Sequence, residues 1–112
     1  MKNRIHYAQE ARQDLDDIWD YIVLELTNVS AATNTVNKIM DMIDQLADFP
    51  EMGSPLSSIA DTESDYRFLV SGNYLTFYRV SGSDVYIDRV LYGRRDYLSI
   101  LLDKKREAEI IE

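Results

Sequence analysis

The amino-acid sequence predicts an α+β fold in which a short strand is followed by two helices, three strands and a final helix. Hydrophobic residues in the first half recur every three or four positions, which is typical of amphipathic helices. From Tyr66 onward the hydrophobic period becomes two, and β-branched and aromatic residues dominate, which is typical of strands. Both prolines of the chain, Pro50 and Pro55, lie between these two halves. We therefore expect a helical hairpin packed on an antiparallel sheet.

Length and composition predict a single globular domain over residues 1–112. Hydrophobic residues make up 46% and charged residues 29% of the chain, and this balance excludes a disordered or collagen-like protein. The chain has no cysteine, which excludes a disulfide framework and a thiol nucleophile. No apolar stretch approaches the ~18 residues that a membrane span needs. We expect a cytoplasmic protein without a membrane partner.

The first three elements follow from hydrophobic spacing. Alternation over residues 3–7 indicates a short strand, and helical periodicity predicts a first helix over about Ala8–Leu26. Residues 27–30 interrupt the pattern, and Ser30 is a suitable N-cap for a second helix that ends near Asp48. Because the link between the helices is only about four residues long, the helices are expected to lie antiparallel.

The second half of the chain predicts a three-stranded antiparallel meander. Its strands cover residues 66–70, 74–80 and 85–91, and glycine-containing segments that are short enough for hairpin turns separate them. A last amphipathic stretch from Tyr97 to about Ala108 predicts a C-terminal helix. The complete order of elements is βααβββα.

The hairpin is expected to cover one face of the meander through large apolar side chains. These are Trp19, Ile22, Ile39, Ile43, Leu75 and Phe77. Four aspartates of the first helix fall on the side that we expect to face solvent: Asp14, Asp16, Asp17 and Asp20. They do not predict a metal site. With His6 as the single histidine and no cysteine, we expect neither a metal nor another cofactor.

The charge of the chain is distributed unevenly. The net charge is −8 at pH 7, which by itself argues against a nucleic-acid-binding protein. Residues 1–65 carry 4 basic and 13 acidic side chains, whereas residues 66–106 carry 8 basic and 4 acidic ones. This asymmetry predicts a locally basic surface on an acidic body.

Several motifs follow one another along the chain. Arg67 opens the first strand of the meander, the second strand reads NYLTFYRV, and the third ends in RVLYGRRD. In the first half, the pattern AxxDLxxIxxYI begins at Ala11 and the pattern LxxxPxxG begins at Leu46. The order and spacing of these motifs, over residues 3 to about 101, resemble the RelE/ParE superfamily, the toxins of type II toxin–antitoxin modules.

This resemblance implies a protein that inhibits growth until its cognate antitoxin wraps and neutralises it. Two activities occur in the superfamily. RelE-like members enter the ribosome and cleave mRNA, whereas ParE-like members poison DNA gyrase and are not hydrolases. The LYGRRD ending, the long helical hairpin and the acidic body favour the ParE-like activity, since a protein that works beside ribosomal RNA normally has a broadly basic surface. The alternatives are a RelE-like mRNA endoribonuclease and a non-toxic protein-binding module of the same fold.

For a nuclease, the resemblance implies a set of catalytic residues: Arg67 and Arg95 on the phosphate, Tyr92 or Tyr97 near the reacting group, and Glu63 as general base. Residues 51–66 contain no lysine or histidine, so only Glu63 and Asp65 are left as candidates for that base.

The basic region also predicts where a partner binds. We expect the antitoxin or the target, gyrase or the ribosome with its mRNA, to contact five arginines: Arg67, Arg79, Arg89, Arg94 and Arg95. The competing interpretation is that Arg89 and Arg94 pair with the neighbouring Asp88 or Asp96 and only hold the last strand in place.

Overall fold

The computed structural model describes residues 2–58, 64–93 and 100–101. Its elements follow the chain in this order: β1 (Arg4–Tyr7), α1 (Gln9–Leu26), α2 (Val29–Asp44), a 3₁₀ turn (Gln45–Ala47), β2 (Ser54–Pro55), a second 3₁₀ turn (Leu56–Ser58), β3 (Arg67–Ser71), β4 (Tyr74–Ser81) and β5 (Asp84–Tyr92). Neither of these two α-helices is long and apolar enough to cross a membrane.

The strands form one mixed five-stranded sheet in the order β1-β5-β4-β3-β2. The prediction of a three-stranded antiparallel sheet was therefore wrong. One further strand pairs with the meander on each side, β1 next to β5 and β2 next to β3. β1 lies parallel to β5, with Arg4 opposite Asp84, and the two-residue β2 lies antiparallel to β3. The connection between these two parallel strands runs through the helical hairpin and then through β2, β3 and β4, and such a pairing cannot be read from local sequence.

The central antiparallel meander, β3 to β5, was predicted with nearly the observed bounds. Gly72 and Gly82 occupy its two tight turns with φ angles of 58° and 60°, a region that glycine enters without steric cost. The predicted C-terminal helix, from Tyr97 to Ala108, lies outside the described residues except for Ile100 and Leu101, which are both helical.

The helical hairpin was correctly predicted, but its turn differs in detail. Thr27 ends α1 in a left-handed conformation with a φ of 47°. The side chain of Asn28 then caps α2 by accepting a hydrogen bond of 2.9 Å from the backbone N–H of Ala31. The prediction of Ser30 as N-cap was therefore wrong by two positions, since asparagine is an equally good cap and lies earlier in the link.

The sheet separates two hydrophobic clusters. Side chains of both helices pack on one face of the sheet against these strand residues: Leu69, Tyr78, Val85, Ile87 and Val90. The other face carries Leu56, Phe68, Phe77, Leu91 and Leu101. Ile22, Ile39 and Ile43 face the sheet as predicted, but Leu75 and Phe77 lie on the face away from the helices. Because residues of both parities are apolar in β4, alternation alone does not identify the covered face.

Trp19 is half-buried at the margin of the core beneath the helices. We expect Trp19→Ala to lower the free energy of unfolding by about 2 kcal/mol, less than the ~3–5 kcal/mol of a fully buried tryptophan. A denaturant titration measures this change. A loss above 4 kcal/mol would contradict the partial burial.

Candidate functional site

An ion pair joins α1 to β5. Asp14 accepts hydrogen bonds from Nε and a terminal nitrogen of Arg89, at 2.8 and 2.9 Å, and from the backbone N–H of Val90 at 2.9 Å. Its side chain is buried, so the expectation that Asp14 faces solvent was wrong. Asp14 adjoins Leu15 and precedes Ile18 by one turn, which places it at the margin of the apolar stripe of the helix. The hydrogen bonds from Asp14 raise the pKa of Arg89.

A β-bulge separates two ion pairs in β5. The pairing register shifts so that Phe77 lies opposite Arg89 while Tyr78 lies opposite Ile87. The extra residue is Asp88, which accepts hydrogen bonds of 2.7 and 3.4 Å from Arg79. Asp88 therefore pairs with the neighbouring strand, while Arg89 pairs with the helix. Arg89 thus does belong to an ion pair, but with a partner different from the one that the sequence suggests.

Arg67 holds the loop that follows α2. Its guanidinium donates hydrogen bonds to the carbonyl oxygens of Gly53 and Glu51, at 2.8 and 3.3 Å. The buried Tyr78 hydroxyl fixes the same loop, because it donates to the carbonyl of Pro50 and accepts from the N–H of Gly53, both at 2.9 Å. Within the chain, this arginine therefore has the role of a structural anchor.

A polar cleft of about 460 Å³ lies beside the bulge. Its described lining includes two guanidinium groups and three carboxylates: Arg79, Arg89, Glu10, Asp65 and Asp88. The Arg79 guanidinium lies 5.8 Å from the ring centroid of Tyr66, which also lines the cleft. The described lining is thus slightly acidic, which makes it a poor site for a polyanion.

Tyr66 is held in its neutral form. Burial, followed by the negative charge of Asp88, raises the pKa of Tyr66 from 10.0 to about 12. Burial likewise raises the pKa values of Tyr74 and Tyr78. These three phenols are therefore unsuited to serve as general bases near neutral pH.

The raised pKa of Tyr66 predicts a loss of stability in alkali. A folded-state pKa above the unfolded value gives stability that is present below pH 10.0 and is lost as the pH rises toward about 12. Since Tyr66 is half-exposed, we expect this loss to be about 1 kcal/mol. In denaturant titrations across this range, Tyr66→Phe should lose less stability than the unsubstituted protein. Parallel curves for the two proteins would contradict the assignment.

The structure places the predicted site residues at different locations. Arg79 and Arg89 meet at the polar cleft, whereas Arg67 is absent from its described lining. Tyr92, at the end of β5, lies with its ring centroid 5.7 Å from that of Tyr74. The remaining predicted residues lie outside the described residues: Glu63, Arg94, Arg95 and Tyr97. Within the described ranges, no group of three or more histidine or acidic side chains is placed to hold a metal ion.

A second groove was missed by the sequence analysis. It measures about 560 Å³ and lies between α1 and the ends of β4 and β5, with Tyr21, Leu26, Tyr74 and Tyr92 in its lining. The available signal was Tyr21, an aromatic residue of α1 that is 58% exposed, whereas Leu15, Ile18 and Ile22 of the same helix are buried.

Sequence comparisons identify relatives along most of the chain. The model of a family described as the ParE toxin of the type II toxin-antitoxin system, parDE, matches residues 5–97. Toxin ParE1 of Caulobacter vibrioides is 35% identical over 85 residues, which cover 76% of this chain and 83% of that protein. Toxin ParE1 of Mycobacterium tuberculosis is 30% identical over 97 residues, which cover 86% of this chain and 95% of that protein.

Solved structures of toxin–antitoxin complexes share the fold. A chain of the chromosomal ParDE system from P. aeruginosa superposes with a TM-score of 0.68 at 22% identity, over 81% of this chain and 96% of that one. A chain of the RelBE2 toxin-antitoxin complex from Mycobacterium tuberculosis superposes with a TM-score of 0.59 at 16% identity, over 82% and 92%. The family match and the sequence relatives together show that this chain belongs to the ParE toxin family and is a toxin of a type II toxin–antitoxin system.

Proposed function

We propose that this toxin arrests growth by poisoning DNA gyrase in the cytoplasm, without cleaving RNA, and that a cognate antitoxin neutralises it. One observation carries the proposal. The guanidinium groups of Arg67, Arg79 and Arg89 are each held by oxygen atoms of the chain itself. A nuclease of the RelE type needs free cationic groups for the phosphate in the transition state, whereas Arg79 and Arg89 are paired with carboxylates and one terminal nitrogen of Arg67 is engaged by backbone carbonyls.

The acid–base chemistry of the cleft supports the same proposal. Attack of a ribose 2′-hydroxyl on the phosphate requires a base that is ionised near pH 7. Tyr66 has a pKa of about 12 and is therefore protonated there. Of the three carboxylates in the described lining of the cleft, Asp88 is already engaged by Arg79 in a bond of 2.7 Å.

We assign contact with gyrase to Arg94 and Arg95, which follow Tyr92 and Gly93 directly in the sequence. Arginine is well suited to this task because its planar fork binds carboxylates in a bidentate manner. We expect Arg95→Glu to reduce gyrase inhibition by at least about tenfold in a preparation whose folding is verified by a thermal melt. A supercoiling assay with purified gyrase measures the effect, and Lys38→Glu on the exposed side of α2 is the matched control. Equal inhibition by Arg95→Glu and the unsubstituted protein would reject the assignment.

Induced expression in a bacterial host separates the proposal from its alternatives. We expect growth arrest with relaxed or cleaved plasmid DNA and with mRNA that remains intact in primer extension. Codon-dependent mRNA cleavage that Glu63→Gln abolishes would instead establish the RelE-like activity with Glu63 as base. If folded protein accumulates while growth is normal and plasmid DNA is unchanged, the result would support the alternative of a non-toxic protein-binding module. Co-expression of the antitoxin encoded beside the toxin gene should restore growth.

A further inference from the structure

The loop of residues 48–53 joins the 3₁₀ turn after α2 to β2 and presents two large apolar side chains to solvent. We call it the Phe49 loop. Phe49 is 64% exposed and Met52 is 38% exposed. Neither side chain is in the described lining of the polar cleft or of the groove beside Tyr21. The Phe49 loop is therefore a separate surface, with an aromatic ring that the core does not use.

The backbone of the Phe49 loop is held in one conformation by hydrogen bonds. The buried Tyr78 hydroxyl and the Arg67 guanidinium bind its N–H and carbonyl groups from the sheet, as described above. At the start of the loop, the N–H of Phe49 donates to the carbonyl of Gln45 at 2.9 Å, and the N–H of Met52 donates to the carbonyl of Phe49 at 3.2 Å. Because the loop is already ordered, a partner that binds it loses little conformational entropy in fixing the ring.

The charge of the Phe49 loop is negative. Asp48 and Glu51 lie on either side of Phe49 in the sequence, and both are exposed. The longer segment 39–66 contains seven acidic residues and no lysine or arginine. Arg67 bonds to the loop, but it does so at backbone carbonyls and not at a carboxylate. A surface that receives the loop therefore needs an apolar pocket bordered by basic side chains.

We propose that the Phe49 loop is a contact surface for gyrase, and that the Phe49 ring enters an apolar pocket of gyrase bordered by lysine or arginine. The proposal rests on the proposed function and adds a second contact to the one assigned to Arg94 and Arg95. An enzyme that holds DNA carries basic side chains for the phosphates, so an acidic loop complements the surface of gyrase. An aromatic ring that fills a pocket of the partner is a typical energetic centre of a protein interface.

The variant Phe49→Ser tests the contact in a supercoiling assay with purified gyrase and the full toxin chain. We expect the toxin concentration that gives half-inhibition to rise by about tenfold or more. The affinity for the purified antitoxin encoded beside the toxin gene, measured by calorimetry, should change by less than about threefold. Val29→Ser is the matched control and should leave inhibition unchanged, since Val29 is 59% exposed at the opposite end of α2. Thermal melts establish that each variant is folded.

Charge reversal supplies a second, independent test. Asp48→Lys should also raise the half-inhibitory concentration by about tenfold, because it places a cation against the basic border of the pocket. Asp20→Lys makes the same change in net charge at an exposed position of α1 and should stay within about threefold of the unsubstituted toxin.

The outcomes separate this contact from the proposed function. If the unsubstituted toxin inhibits gyrase and the variants Phe49→Ser and Asp48→Lys inhibit within about threefold of it, the contact is overturned and the gyrase activity stands. Weaker binding of the antitoxin by Phe49→Ser, with gyrase inhibition unchanged, would also overturn the contact and assign the Phe49 loop to the antitoxin. If the unsubstituted toxin does not inhibit gyrase, the proposed function fails and the contact fails with it.

Discussion

Replacing Asp14 with alanine should lower the free energy of unfolding by about 3 to 5 kcal/mol. The reason is that Asp14 accepts two hydrogen bonds from Arg89 and one from the N–H of Val90 in a buried position. Its removal leaves a partly buried cation and a buried N–H without their acceptor, and this penalty exceeds the loss of a surface ion pair. Chemical denaturation monitored by Trp19 fluorescence measures the change.

Asp16 provides the control for this prediction, because it lies two residues further along α1 and is exposed. Asp16→Ala should change the free energy of unfolding by no more than about 0.5 kcal/mol. A double-mutant cycle with Arg89→Met should give a coupling energy of at least about 1 kcal/mol. If Asp14→Ala costs less than about 1 kcal/mol, the ion pair does not anchor α1 to β5.

Replacing Gly53 with alanine should cost about 2 to 4 kcal/mol. A Cβ atom there would lie 2.6 Å from the Tyr78 hydroxyl oxygen and 2.8 Å from the carbonyl oxygen of Phe68. Backbone cannot move aside as a flexible side chain does, so the loop would shift and weaken its hydrogen bonds with Tyr78 and Arg67. The change is read from the thermal unfolding midpoint and from the denaturant midpoint.

The variant Gly72→Ala is a control for Gly53→Ala, because it introduces backbone strain without steric crowding. Gly72 has a φ of 58° and nothing within 4 Å of the position that a Cβ would take. Alanine at that position should therefore cost only ~1 kcal/mol, the penalty of the left-handed conformation. Equal losses for the two glycine variants would show that the loop after α2 is not closely packed against Tyr78.

Local patterns predicted the parts of the fold that depend on local physics. The helical period gave the antiparallel hairpin, and the period of two together with turn glycines gave the central meander. The partner strand of β1 was not predictable in this way, because Arg4 lies opposite Asp84 across almost the whole chain. The face on which Phe77 lies was not predictable either. Both parities of β4 are apolar, and the bulge beside Phe77 shifts the register.

The candidate site was predictable by residue type but not by role. Arginines in the strand region carry the family resemblance. In the structure, however, Arg67 donates a hydrogen bond to the loop after α2, and Arg79 and Arg89 form ion pairs. The partner of Arg89 is Asp14, which lies 75 residues earlier in the chain. The position of Asp14 in the helical pattern is typical of an aspartate that faces solvent. An ion pair between distant segments leaves no periodic signal, so only the fold identifies it.

We propose that the toxin acts on gyrase and not as a nuclease. The most direct measurement is a supercoiling assay in which purified gyrase converts relaxed plasmid DNA in the presence of increasing amounts of the toxin. We expect that the toxin inhibits supercoiling, that added antitoxin restores it, and that the Glu63→Gln variant inhibits as strongly as the unsubstituted toxin. Unimpaired supercoiling, together with mRNA cleavage by the same preparation in a translating ribosome system, would contradict this proposal.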